Sequence, residues 1–239
     1  FVTEIIVDSE GMIVGSAHRN SSTGVETVAF RYNPATNQIL WEQRFGVNNP
    51  IEGGILEKKP GGNYLIYHSP DYNALGHKSV EILELNRTTG QIVPAFAKRY
   101  AQQDIQVFAG MVQHDDALYA TGYTDSLLPT NQRVRRITLT KLDANTGNVL
   151  WTRLGLTPWS QTSYFRGIDL IVDDNSLIVL SHGIETSNTP TGSGKVVPVY
   201  LHKTTLDGDL LWAKKYLLTE VPREVVAVPD GYVIFCGNN

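Results

Sequence analysis

The side chains of this chain best suited to chemistry fall between apolar runs, in segments that do not resemble one another. His18, Tyr72, His77, Tyr123, Asp125 and His182 follow or close such runs, and Trp159, Tyr164 and Arg166 occupy a connection of their own. Aromatic surface beside Asp, Arg and Asn suits a sugar or a peptide, because such sites join planar apolar groups to a few fixed polar ones. Metal chemistry needs ligands that converge at about 2 Å on one ion. His68 is fifth along its run, His182 sixth and His18 seventh, so their side chains share no centre and no metal is expected. Asp115-Asp116 and Asp173-Asp174 fall where tight turns are expected, and turn formation accounts for them. The sequence holds no Gly-rich phosphate loop, no G-x-S-x-G elbow and no H-E-x-x-H. No catalytic residue, cofactor or metal ligand is assigned.

The elements that must position these residues come from a repeat. Asp143-Ala-Asn-Thr-Gly147-Asn-Val-Leu-Trp151 has copies ending in Asn37…Trp41, Gly90…Pro94 and Gly208…Trp212. The turn residues stand at 37, 90, 147 and 208, at intervals of 53, 57 and 61. One tight turn and one aromatic per unit of this length mark a β-propeller blade. The turn needs positive φ, hence Gly or Asn. The Trp is a plate suited to sealing one blade sheet against the next, and Pro94 leaves the second blade without it. The predicted fold is all-β, a propeller of four-stranded antiparallel blades over residues 1–46, 47–100, 101–156 and 157–217, with half a fifth over 218–239. A closed ring hides its sheet edges, so four and a half blades predict part of a larger ring. First-to-second and third-to-fourth turns are short and share one face. The longer second-to-third loops and the inter-blade connections share the other, where Tyr72, His77, Tyr123, Asp125, Trp159, Tyr164, Arg166 and His182 are the candidate binding residues.

Lys141-Leu-Asp-Ala-Asn-Thr-Gly147-Asn-Val-Leu-Trp151 and Thr205-Leu-Asp-Gly208-Asp-Leu-Leu-Trp212 resemble blade motifs of quinoprotein-like (PQQ-like) propellers, and look closest to repeats of large secreted Bacteroidetes-type propeller proteins. That resemblance implies the fold and an exported bacterial setting: extracellular, cell-surface or periplasmic. Quinoprotein dehydrogenases often carry adjacent cysteines and a carboxylate set for calcium. This chain has only Cys236 and no such set, so the quinone and its metal are not expected.

A net charge of -4 gives no electrostatic footprint for nucleic acid, and no apolar run is long enough for a membrane span. Arg133, Arg135 and Arg136 form the only basic cluster, read as a solvated strand end. The sequence predicts a non-catalytic binding or scaffold propeller of a large exported or cell-surface protein. Its long loops would engage a protein, a glycan or neighbouring domains of the same polypeptide. The alternative is a channel-centred enzyme, quinoprotein-like or carbohydrate-active, drawing on residues such as Arg166 and Asp169.

Overall fold

The computed structural model describes residues 2–21, 24–47, 53–69, 79–100, 107–127, 133–156, 164–184 and 197–237. They form strands joined by turns, with no helix among the described residues. The first sheet holds β1 (Val2–Val7), β2 (Ile13–Ser21), β3 (Gly24–Asn33) and β4 (Gln38–Val47); the second holds β5 (Gly53–Glu57), β6 (Tyr64–His68), β7 (Val80–Leu85) and β8 (Ile92–Tyr100). The third holds β9 (Val107–His114), β10 (Ala117–Leu127), β11 (Arg133–Asp143) and β12 (Val149–Leu154); the fourth holds β13 (Tyr164–Asp173), β14 (Ser176–Ile184), β15 (Val197–Thr205) and β16 (Leu210–Leu218). β17 (Val221–Val228) and β18 (Gly231–Gly237) form a two-stranded fifth sheet. Each sheet is a meander in chain order, the arrangement of propeller blades. The chain divides into two compact units, one of Phe1–Phe108 with Asp143–Asn148 and one of Ala109–Leu142 with Val149–Asn239.

The repeated phrase folds as its residue types require. Asn37, Gly90, Gly147 and Gly208 all have positive φ, at 56°, 71°, 67° and 81°. The residue that opens each turn caps it: Asn33 Oδ1 accepts from Ala35 and Thr36, Asn86 Oδ1 from Thr88 and Thr89, and Asp143 Oδ1 from Asn145 and Thr146. Such side-chain turns are the reason Asn and Asp are favoured there.

The Trp and the Gly turn out to be partners across blades. In the first unit Trp41 is buried and its indole N–H donates to Arg87 O at 2.9 Å. A Cβ on Gly90 would lie 2.6 Å from the Trp41 ring, so the next blade's turn must be Gly there for space as well as for φ. In the second unit Trp151 presses on Gly208 in the same way, with a built Cβ 2.9 Å from its ring. The expectation that Pro94 leaves a blade unsealed is corrected. Phe96, two residues on and 2% exposed, lies 3.1 Å from a Cβ on Gly147, and Tyr100 Oη donates to Gly147 O at 2.5 Å. The register of β8 on β7 jumps from Leu85↔Ile92 to Leu83↔Ala97, and past this irregularity it is Phe96 that meets the next turn and takes over the plate's role.

Two further devices recur. Glu4 in β1 accepts the Ile55 N–H of β5 at 2.8 Å, and Asp169 in β13 accepts the Val225 N–H of β17 at 2.9 Å. Each carboxylate follows a bulge in its first strand and clips it to the first strand of the next sheet. A cation–carboxylate pair joins the end of the first strand to the third strand in three sheets: Asp8–Arg31 at 3.0 Å, Lys58–Glu84 at 2.8 Å with the charges exchanged, and Asp173–Lys203 at 2.8 Å. In the first and third of these a Tyr from the following sheet also donates to the Asp, Tyr64 to Asp8 at 2.5 Å and Tyr232 to Asp173 at 2.6 Å.

Candidate functional site

Strand order decides which candidates meet. In an antiparallel meander the end of the second strand lies beside the starts of the first and third. In the second unit that end carries Tyr123 and Asp125 on β10, Arg135 on β11, Arg166 on β13, His182 on β14 and Arg223 at the start of β17. The sequence places Tyr123 and His182 at the ends of second strands, Asp125 in the loop that follows and Tyr164 and Arg166 in a connection. The strands extend further, β10 to Leu127 and β14 to Ile184, and β13 begins at Tyr164, so Asp125, Tyr164 and Arg166 stand on strands as well. The cross-strand ladder continues past the apolar body of the sheet, where alternation of buried and polar residues no longer marks it. Tyr72, His77 and Trp159 lie outside the described residues.

Arg135 holds the first half of the site. Its Nε and Nη2 donate to Asp125 Oδ1 and Oδ2 at 2.7 and 3.0 Å, a two-pronged pair that fixes both side chains. The same guanidinium lies 3.9 Å from the centre of the Tyr123 ring. Tyr123 is 2% exposed, so its ring is a support for Arg135 and not a sugar platform. The sequence predicts a solvated strand end for Arg135, but its side chain is only 20% exposed. The available signal was an Asp and an Arg ten residues apart across one hairpin, a spacing that places both at the same end of paired strands.

Arg166 and His182 hold the other half and are direct cross-strand partners. Arg166 Nε donates to His182 Nε2 at 2.5 Å. A guanidinium can only donate, so Nε2 is bare and the neutral ring carries its proton on Nδ1. That N–H is buried and meets no acceptor among the described residues. Burial, followed by the charges of Arg166, Arg135 and Arg223, lowers the His182 imidazole to about 4. His182 is therefore neutral near pH 7 and sits in the field of three guanidiniums.

The register also corrects the histidine alignment. Val2 pairs with Ala17 and Gly167 with Ser181, each just before the bulge, so His18 and His182 occupy equivalent positions in their sheets. The turn between β1 and β2 is longer than that between β13 and β14, and counting from the turns misplaces them. His68 Nε2 pairs with Glu81 at 3.1 Å. No group of three or more His, Cys, Asp or Glu among the described residues is placed to hold a metal ion.

Asp169 is a second candidate in this unit. Burial, against hydrogen bonds from the Val225 and Leu170 amides, pushes its carboxyl up to about 6, with Glu224 adding to the shift. Both oxygens are engaged, Oδ1 by Leu170 N at 2.8 Å and Oδ2 by Val225 N at 2.9 Å. A shallow cleft of about 310 Å³ lined by Arg153, Leu156, Gly208 and Leu210 lies at the outer strands and contains none of the candidate residues.

No known protein-family profile matches the chain, and no curated protein matches it in sequence. Solved structures do. The chain is similar to the α-L-arabinofuranosidase Arb93A from Fusarium graminearum in complex with an iminosugar inhibitor, with a TM-score of 0.61, 14% identity, and 99% of this chain covering 69% of that one. It is similar to the Dos1 propeller, with a TM-score of 0.51, 7% identity, and 99% of this chain covering 66% of that one. For the polysaccharide lyase Uly1 the TM-score is 0.52 and the identity 11%, with 98% of this chain covering 54% of that one. This is a β-propeller. At these identities the likeness concerns fold, and two of the three propellers are carbohydrate-active enzymes by name.

Proposed function

We propose that the chain is a non-catalytic glycan-binding propeller, engaging its ligand at the strand ends that carry Asp125, Arg135, Arg166, His182 and Arg223. On the resemblance of its repeats we place it in an exported or cell-surface bacterial protein. One observation carries the reading: two polar pairs, Arg135–Asp125 and Arg166–His182, are held partly exposed at one end of adjacent sheets by bonds to each other. Fixed, planar hydrogen-bonding groups on a rigid scaffold are what saccharide recognition uses, because little side-chain freedom is lost on binding. The carbohydrate-active propellers among its structural neighbours support the same reading. Affinity electrophoresis through gels containing plant and algal polysaccharides tests it. Retardation that disappears in an Arg135→Ala, Arg166→Ala double variant is expected, and unretarded migration in every gel would overturn it.

The carbohydrate-active enzyme is the second reading, favoured by Asp169 beside Glu224. Glycoside hydrolysis uses two carboxyl groups, one with a raised pKa, and Asp169, pushed up to about 6 chiefly by burial with Glu224 adding to the shift, has that character. Release of reducing ends from arabinan or a polyuronate, abolished in Glu224→Gln, would replace the binding reading with this one.

A further inference from the structure

The joint between blades has a second component, and its last copy lies open. We propose that β18 and the Trp212 plate form a docking edge for a β-hairpin from outside these 239 residues, one whose tight turn carries Gly at positive φ beside an Asp or Asn.

In two joints a cation two residues beyond the aromatic shares the same Gly. A Cβ on Gly147 would lie 2.8 Å from Lys98 as well as 3.1 Å from Phe96, and one on Gly208 would lie 2.8 Å from Arg153 and 2.9 Å from Trp151. Arg153 Nη2 also donates to Asp207 O at 3.2 Å, in the turn itself. Trp212 and Lys214 repeat that pair on β16: Lys214 Nζ lies 5.2 Å from the centre of the Trp212 ring, as Arg153 Cζ lies 5.7 Å from that of Trp151. Trp212 packs against the cluster that holds Val225 of β17, on the side of the fifth sheet. That sheet consists of β17 and β18, so among the described residues it brings no third-to-fourth turn to the plate. The edge beside it is open as well. β2, β6, β10 and β14 each pair on both sides, whereas β18 pairs only with β17. Val226 and Val228 of β17 share one face with Val233 and Phe235 of β18, and all four are exposed. An open edge offers its backbone groups to an added strand.

A second copy of the chain does not fit this place. Gly90, Gly147 and Gly208 each meet a plate of their own chain. The remaining turn has Asn37, whose Cβ fills the space a plate needs; at Gly90 an added Cβ would fall 2.6 Å from the Trp41 ring. Pairing β18 with another β18 would set the incoming turn at the opposite end of the sheet, because antiparallel neighbours run in opposite directions. The longest stretch outside the described residues, 185–196, is shorter than any of the four third-to-fourth hairpins.

Hydrogen exchange of the whole chain tests this, with and without a synthetic hairpin of residues 197–218 closed by a terminal disulfide. That hairpin carries the Gly208 turn, which already matches a Trp and a cation. Slowed exchange of β18 amides is expected. Gly208→Ala in the hairpin should weaken the effect about tenfold through its strained φ, and Lys214→Glu in the chain should weaken it several-fold. Lys214 is exposed, so its variant remains informative if Trp212→Ala does not fold. Unchanged β18 exchange with a hairpin shown to be folded by circular dichroism would overturn the inference. Equal protection by the Gly208→Ala hairpin would also overturn it, since the turn would then play no part. Protection of β18 in the chain alone, rising with concentration beside a dimer in sedimentation, would give the edge to a second copy and overturn it too. None of these outcomes bears on the glycan reading.

Discussion

At the residue scale, burial decides what each charged group does. The Asp8 side chain is fully buried, and burial alone would raise its pKa; donors from Tyr64, the Met12 and Glu10 amides and Arg31 outweigh that and hold it below the ordinary 3.8. A carboxyl lowered by folding lends stability that is present above its unfolded pKa and lost as pH falls. Asp8→Ala would take from Arg31 and Arg87 their buried shared partner and leave them Glu10 and, for Arg87, Glu57, so a loss of about 1–3 kcal/mol in urea unfolding is expected. His18, His182 and His202 act in the same direction: burial lowers each from 6.5 to about 4. Between these values the unfolded chain binds protons the fold refuses, so stability falls as pH drops through that window. Asp169, raised from 3.8 to about 6, opposes them in part, because the fold protonates first and gains stability as pH falls over its own interval. Three histidines against one carboxyl predict a lower urea midpoint at pH 4.5 than at pH 7, and an unchanged midpoint would contradict those shifts. None of this was legible in the sequence: Asp8 reads there as one turn residue among many, and its role depends on Arg31, Tyr64 and Arg87, which are far away along the chain.

At the element scale, the repeat was legible because local chemistry enforces it. Positive φ demands Gly or Asn and the opening Asx caps the turn, so both signals survive in the residue types. What could not be read was the contact between the two halves of the motif, since Trp41 meets Gly90 and not its own Asn37. The same blindness hid Phe96, whose replacement of a Trp two residues away is visible only once β8 faces Gly147. Phe96→Ala should therefore cost about 3–5 kcal/mol, as for a large core truncation, despite lying outside the repeated phrase. Gly90→Ala combines an unfavourable φ with overlap against the Trp41 ring, and a loss of about 1–3 kcal/mol is expected. Pro94→Trp, which restores the repeated residue, should give no gain in thermal stability, because Phe96 already covers the turn. Strand ends were the least legible part of the candidate site: Tyr123 and His182 read as the last residues of their strands and Asp125 as loop, yet the strands run on to Leu127 and Ile184.

At the scale of the whole molecule, the two ends of the sheets in the second unit hold different polar groups. In the second unit the turn end ties Asp173 to Lys203 and Tyr232, whereas the opposite end gathers Asp125, Arg135, Arg166, His182 and Arg223. Substitutions at the two ends should separate accordingly. Lys203→Gln should lower stability by about 1 kcal/mol or less, given its partial exposure, and leave retardation in polysaccharide gels unchanged. A loss of retardation in that variant would move the ligand to the turn end. The contact between one blade's aromatic and the next blade's turn has a consequence for how such chains lengthen. The second and third blades each carry both a plate for the successor and a socket for the predecessor. A blade copied whole and inserted between two others therefore arrives with both halves of the joint, and every junction it makes is one the chain already knows how to form. The Phe96 variant of the plate uses the same Gly socket, so units can diverge in sequence without losing this interchangeability.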